Sequence, residues 1–179
     1  MALTDSTPGS HDVAVSGPPG SLRARASKYA LLPLRLFLAG TFIYAGLDKI
    51  LDPAFLASSG PGSMAETLES ARSSAAIPAL IDLAQNDPRA FGIAMAAGEL
   101  AVGLGTLVGL WTRLAAFGGM LISLSLWLTV SWASDPYYFG NDLPYMMAWT
   151  PLIFAGAPQF SLDMAISRKR RRRGRHIFG

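Results

Sequence analysis

Cysteine is absent from the 179 residues, which removes disulfides, thiolate chemistry, iron–sulfur ligation and Cys-type zinc sites from this chain's own repertoire. Histidine is nearly absent. His11 and His176 lie in polar segments at opposite ends, so no spacing exists for a paired-His haem or a His-based metal site, and no metal is expected. Charge is scarce too. Only 15% of residues are Asp, Glu, Lys or Arg, against about 25% in a soluble domain, which is too little to coat a water-facing surface and speaks against a soluble monomer. The 18 Gly and 12 Pro follow no triplet period, which excludes a collagen-like chain.

What is present is apolar: 51% of residues are hydrophobic and mean hydropathy is +0.33. Crossing about 30 Å of hydrocarbon takes roughly 20 mostly apolar residues. Four windows qualify, at about residues 30–51, 91–111, 114–132 and 143–157. The third carries no charge. The expected fold is all-α, an integral membrane four-helix bundle with an extracytoplasmic helical loop, 52–88, between the first and second helices. The expected organisation is a disordered cytoplasmic tail over 1–28, a membrane domain over 29–163 and a basic cytoplasmic tail over 164–179. The apolar stretch behind the first tail is too long and too late for a secretory leader.

Positive charge flanking the spans sets their orientation. Arg23, Arg25 and Lys28 precede the first helix, Arg113 sits in the turn between the second and third, and Arg168 to Arg173 with Arg175 follow the fourth. All fall on one side, so both termini are expected in the cytoplasm. The basic tail beside a membrane exit reads as a topology signal and a lipid-headgroup attractor, not as a nucleic-acid arm.

Local punctuation refines the picture. Asn141 and Asp142 before Leu143-Pro144 predict a helix start, with Asn141 as cap, and Pro158 closes that helix. Pro151 inside it frees the carbonyl of Met147, either as a kink of consequence or as tolerated irregularity. In the outer loop, Ser63 to Glu66 is a capping-box pattern. Pro78 opens a second short helix whose Ile77, Leu80, Ile81 and Ala84 share one face. That face is expected on the bundle or the lipid surface, and the loop is either a connector or a lid or docking surface.

An ionisable group at membrane depth needs a neighbour. Glu99 falls about 12 Å down the second helix. Asp48 and Lys49 lie within a turn of the outer end of the first, with Tyr44 one turn deeper. A Lys49–Glu99 pair with the hydroxyl of Tyr44 or Tyr145 nearby satisfies these depths. Two readings fit: a buried polar clasp fixing helix register, or a site that binds the polar head of a small lipophilic molecule or passes protons. Arg35 is expected to snorkel to cytoplasmic phosphates. Small residues at i+4, Ala97, Ala101, Gly105 and Gly109 on the second helix and Ala115, Gly119 and Ser123 on the third, predict two facing stripes in close contact. Aromatic side chains gather at the outer boundary: Trp127, Trp132, Tyr137, Tyr138, Phe139, Tyr145 and Trp149. Most read as an interfacial belt. Trp149, Tyr145 and Tyr44 could instead line an apolar pocket open to the bilayer, suited to a quinone ring.

Three stretches, RLFLAGTFIYAGLDKILDPAFL, GELAVGLGTLVGLWTRLAA and YFGNDLPYMMAWTPLIFAGAPQFSLD, together resemble the DoxX/DoxD family of small bacterial and archaeal membrane proteins. The likeness runs from Leu34 to Asp163. It implies a four-helix bundle of the bacterial inner membrane tied to respiratory or thiol and sulfur redox metabolism. DoxD-type members form a subunit of a thiosulfate:quinone oxidoreductase, a thiosulfate dehydrogenase (quinone), and the long outer loop leans that way. DoxX-type members elsewhere anchor soluble oxidant-defence enzymes. Family motif positions fall on Asp48, Lys49, Glu99, Arg113, Asn141 and Asp142. The candidates for chemistry are therefore Glu99, Lys49 and Asp48. Those for holding a quinone are Tyr44, Tyr145, Trp149, Asn141 and Asp142, with Glu99 touching the quinone oxygen and Lys49 holding Glu99. The expected partners are membrane lipids, a second redox subunit or soluble enzyme, and a further copy of the chain, with no nucleic acid. The alternative is a non-catalytic anchor or assembly factor. A solute carrier fits less well, because no inverted repeat is visible.

Overall fold

The computed structural model describes residues 26–27, 29–157 and 159–167. Residues 1–25, Lys28, Pro158 and everything from Arg168 onward, including both histidines and most of the flanking cations, lie outside the described residues. The described residues form helices and no strand. In chain order these are α1 (Leu32–Leu51), α2 (Met64–Arg72), α3 (Pro78–Ala84), α4 (Pro88–Val108), α5 (Thr112–Thr129), a 3-10 turn over Tyr137–Phe139, and α6 (Asp142–Ala155). Residues 162–167 are also helical.

Local chemistry explains most of these bounds. Pro33 occupies the first turn of α1, and Asp52, extended before Pro53, ends it. Ser63 Oγ accepts from the Glu66 N–H at 3.2 Å, while the Glu66 carboxylate reaches back to the Gly62 N–H at 2.7 Å, so α2 opens on a capping box displaced by one residue. Asp87 Oδ1 accepts from the Ala90 N–H at 3.0 Å ahead of Pro88, which starts α4 three residues before the sequence window. Gly109, at φ 72°, stops it three residues short of Trp111. Asn141 stands at the cap position of α6 but makes no side-chain cap bond; its backbone is itself in the helical region, so its side chain cannot turn back on the first N–H groups.

α1 packs on α4, α4 on α5, α5 on α6, and α6 returns to α1. Leu38, Phe42, Val102, Ala116, Trp149 and Leu152 form their shared core. The tight contact is between α1 and α4. A Cβ on Gly46 would lie 2.8 Å from the Ala96 carbonyl oxygen, and one on Gly103 would lie 2.8 Å from the Ile43 nitrogen. The stripes expected between α4 and α5 meet in part: a Cβ on Gly105 would lie 3.4 Å from the Ala115 methyl, whereas Ala97 and Ala101 are exposed, and the face of α4 against α1 carries Ala96 and Gly103, seven residues apart, because a strict i+4 row drifts around the helix. On α5, Gly119 leaves room for the indole of Trp149 from α6 instead of meeting α4.

The loop between α1 and α4 is folded. Met64, Leu68 and Ala71 of α2 meet Ile81 and Ala84 of α3 in a second small core, with Phe55 against it. Of the face expected on the bundle or the lipid surface, Ile81 and Ala84 are buried against α2 while Ile77 and Leu80 are exposed. Arg72 Nε donates to Asp82 Oδ1 at 2.6 Å across the α2–α3 pair. That hydrogen bond holds the Asp82 carboxyl below the usual carboxylate range and raises the Arg72 guanidinium. The Ala76 N–H donates to the Leu128 carbonyl at 2.9 Å, tying the loop to α5.

α4 and α5 are long and apolar enough to cross a membrane. α1 has the length, at 20 residues, but carries Arg35, Asp48 and Lys49. α6 has 14 residues, about 21 Å at 1.5 Å per residue.

Candidate functional site

Lys49 lies in the last turn of α1 and Glu99 halfway along α4. The close approach at Gly46 and Gly103 brings those two backbones together. Lys49 Nζ donates to Glu99 Oε1 at 2.9 Å and to Oε2 at 2.8 Å, with a longer contact of 3.4 Å to the Ala45 carbonyl. The two side chains are not equally hidden: 25% of Lys49 is accessible and 4% of Glu99. The carboxylate is sealed behind the ammonium, so any visitor meets Lys49 first.

The other sequence candidates do not converge there. Asp48 is exposed at the end of α1. Tyr44 is 71% exposed and points away from the bundle, because the inward face of α1 runs through Leu38, Phe42 and Gly46 and Tyr44 sits about 200° around from Phe42. Trp149 is fully buried, its ring edge-on to Phe42 at 4.9 Å. Tyr145 stacks beside Phe37 at 6.0 Å. These three aromatics enclose no shared pocket. Asn141 is exposed, and Asp142 accepts a hydrogen bond from Ser131 Oγ within electrostatic reach of the Lys49–Glu99 pair.

The cavity lies elsewhere, beneath α2 and α3, where they cover α4 and α5. It measures about 340 Å³, and Lys49 is part of its wall. Phe55, Met64, Leu68, Met95 and Leu126 are among its apolar lining, and Ser125, Thr129 and Thr67 carry hydroxyls. Each hydroxyl already donates its proton to its own helix: Ser125 to Ile122, Thr129 to Ser125 and Thr67 to Ser63. That leaves each oxygen with acceptor capacity only, and Lys49 is the one cation in the lining. A small-molecule site of this volume, apolar with a few convergent polar groups, matches the common pattern for ligand pockets. Among the described residues, no group of three or more His, Cys, Asp or Glu side chains could hold a metal ion. The sequence shows only fragments of its lining, the i, i+4, i+7 row of Met64, Leu68 and Ala71 on α2 and the Ser125–Thr129 pair in an otherwise apolar turn of α5, and neither marks a cavity by itself.

The family model for DoxX matches residues 30–132. This chain belongs to the DoxX family. No curated protein and no solved structure matches it. The DoxX match takes in α1 to α5, the folded outer loop, Lys49, Glu99 and the whole cavity, and stops before α6. Membership in DoxX and the two apolar helices point together to a membrane protein.

At the far end of this DoxX chain, Arg35 corrects the expectation that it snorkels outward. It is buried and donates to four carbonyls: Thr106 at 2.8 Å, Leu107 at 2.6 Å, Gln159 at 2.7 Å and Phe160 at 2.9 Å. The first two are orphan carbonyls of the last turn of α4, where a cation also meets the negative end of the helix dipole. Asp163 does the converse for α5, accepting from the Trp111 and Thr112 N–H groups at 2.9 and 3.1 Å. Arg113 is exposed at that same end.

Proposed function

We propose that this chain crosses the bacterial inner membrane four times, through α1, α4, α5 and α6, and serves as the lipophile-binding membrane subunit of a quinone-linked redox system, with α2 and α3 on the outer face. Two of the three charges that disqualify α1 by composition are neutralised inside the protein, Arg35 by carbonyls and Lys49 by Glu99. Leu36, Phe37, Leu104, Phe117, Leu121 and Phe154 coat the exterior of all four helices, as lipid contact requires.

The carrying observation is Lys49 in the wall of a 340 Å³ apolar cavity, backed by a sealed carboxylate. The donor set fits a quinone ring. Lys49 would donate to a ring carbonyl, and Ser125, Thr129 and Thr67, whose oxygens keep acceptor capacity, would accept from the ring hydroxyls of the reduced form. A bound quinone supplies an acceptor for two electrons and two protons. Glu99 fixes the position and charge of Lys49, reversing the roles expected from sequence. Electrons come from a second subunit or soluble enzyme at the outer face, with a reduced sulfur compound such as thiosulfate as the substrate class. The test is tryptophan-fluorescence titration of the protein in lipid nanodiscs with a short-chain benzoquinone. In the Lys49→Gln, Glu99→Gln double variant, which keeps a polar pair, affinity is expected to fall about tenfold, the worth of one charged hydrogen bond. Equal affinity in both proteins, or no binding to either, refutes the reading.

A further inference from the structure

The cavity has a mouth as well as a wall. Leu80 and Leu83 of α3, Phe91 in the first turn of α4 and Val130 just past α5 line it while remaining 40%, 70%, 36% and 47% exposed. The charged residue of α3, Asp82, is occupied with Arg72 and is absent from the lining. Four large apolar side chains ringing one opening form a poor door to water and a good one to hydrocarbon. The floor under this mouth is α4 and α5, the two helices long and apolar enough to cross a membrane. The rim lies within a turn of their outer ends, with Trp132 and Tyr137 to Phe139 exposed in the segment that follows α5. That is the level where acyl chains give way to headgroups.

Volume restricts what fits inside. At about 340 Å³ the cavity lies at the small end of ligand pockets, which run from roughly 300 to 1,000 Å³, a size suited to one substituted ring or a comparable head.

We propose that the mouth bounded by Leu80, Leu83, Phe91 and Val130 is a lateral portal, through which a membrane-dissolved amphiphile slides its ring or head from the outer leaflet to Lys49 while its hydrocarbon tail stays in the lipid. The inference rests on the quinone reading for the identity of the head alone. The route follows from the apolar rim and holds for any amphiphile of that size.

The test uses the full chain in nanodiscs carrying a long-chain alkylphenol with a diazirine on its ring, irradiated and mapped by peptide mass spectrometry. Adducts are expected on Met95 and Leu126 inside the cavity, alongside those on the lipid-facing Phe117 and Leu121. The same amphiphile with the diazirine at the far end of its tail is expected to label Phe117 and Leu121 and not Met95 or Leu126. Leu83→Asp, at a site exposed enough to leave the fold intact, is expected to lower the ring-probe adducts on Met95 and Leu126 by roughly fivefold, since a charge at the rim disfavours an apolar visitor arriving from the lipid, and to leave the Phe117 and Leu121 adducts unchanged. Ring-probe labelling of Leu121 without Met95 or Leu126 overturns the portal, as does undiminished cavity labelling in Leu83→Asp or tail-probe labelling of the cavity equal to that by the ring probe. Ring-probe labelling of the cavity in a protein that binds no quinone keeps the portal and removes the redox reading. Tight quinone binding without ring-probe labelling of the cavity removes the portal alone.

Discussion

The unequal burial of Lys49 and Glu99 makes a sharp expectation for a three-variant cycle. In Lys49→Met the Glu99 carboxylate, 4% accessible, loses the Nζ that donates to both of its oxygens. Removing one partner of a buried ion pair destabilises by about 3–5 kcal/mol. At about 2–4 °C per kcal/mol for a chain of this length, the unfolding midpoint should fall by roughly 6–20 °C. Glu99→Leu leaves the ammonium instead, but that side chain is 25% accessible, has a flexible stem and keeps its contact with the Ala45 carbonyl. Its cost should be about half as large. The double variant removes both charges and should return close to the parent midpoint, because well-packed apolar replacements of a buried pair are often neutral or better. The assay is thermal unfolding in mild detergent followed by the helical circular-dichroism signal. The reasoning is refuted if Glu99→Leu costs as much as Lys49→Met, or if the double variant melts as low as Lys49→Met.

Other outcomes follow from the packing. Gly119→Ala should lower stability by about 1–3 kcal/mol, because its methyl would occupy the space of the Trp149 ring. Gly98→Ala, whose nearest neighbour is 3.6 Å away on Ile122, should gain about 0.5–1 kcal/mol from helix propensity, and the two midpoints read side by side decide. Arg35→Lys should be strongly destabilising despite the retained charge, since an ammonium cannot reach four carbonyls as the guanidinium fork does; chymotrypsin sensitivity at Phe160 and Leu162 should rise with it. Asp163→Asn should cost about 1 kcal/mol through the weakened start of α5, measurable as a smaller drop in midpoint. For the exposed Arg72–Asp82 bridge, Asp82 titrates lower in the folded chain than in the unfolded one. Its support is therefore complete above about pH 4 and disappears as acid protonates the folded carboxylate. Asp82→Asn should erase that acid-limb difference, and about 1 M salt should mask it.

Much of this architecture is legible one residue at a time. Ser63, Pro78, Asp87-Pro88 and Gly109 act on their own neighbours within a turn, so the starts and stops of α2, α3 and α4 can be read locally. The depths of Lys49 and Glu99 follow from a fixed rise per residue, and their juxtaposition follows from depth. Rotation about the helix axis is harder to read. Tyr44 and Trp149 lie near the anticipated level, but a two-residue error in face sends one outward and the other into the core. Two features leave almost no local trace. The partners of Arg35 are main-chain carbonyls, which every residue type carries alike. The cavity is assembled from ordinary apolar side chains on several separate segments, and only the tertiary fold makes them neighbours.

Arg35 also carries a consequence for how the polypeptide is made. Its first carbonyl partner comes 71 residues downstream and its last 125 residues downstream. At about 5–20 residues per second on the ribosome, roughly 6–25 s separate the emergence of that guanidinium from the completion of its cradle. Until Thr106 and Leu107 are made the guanidinium has none of its carbonyl partners, from then on it has half of them, and its cradle is complete only with Gln159 and Phe160. A message truncated ahead of Gln159 would yield a protein with every long helix intact and a half-partnered guanidinium at the end of the bundle where α4 stops, the kind of defect that quality-control proteases of the membrane recognise.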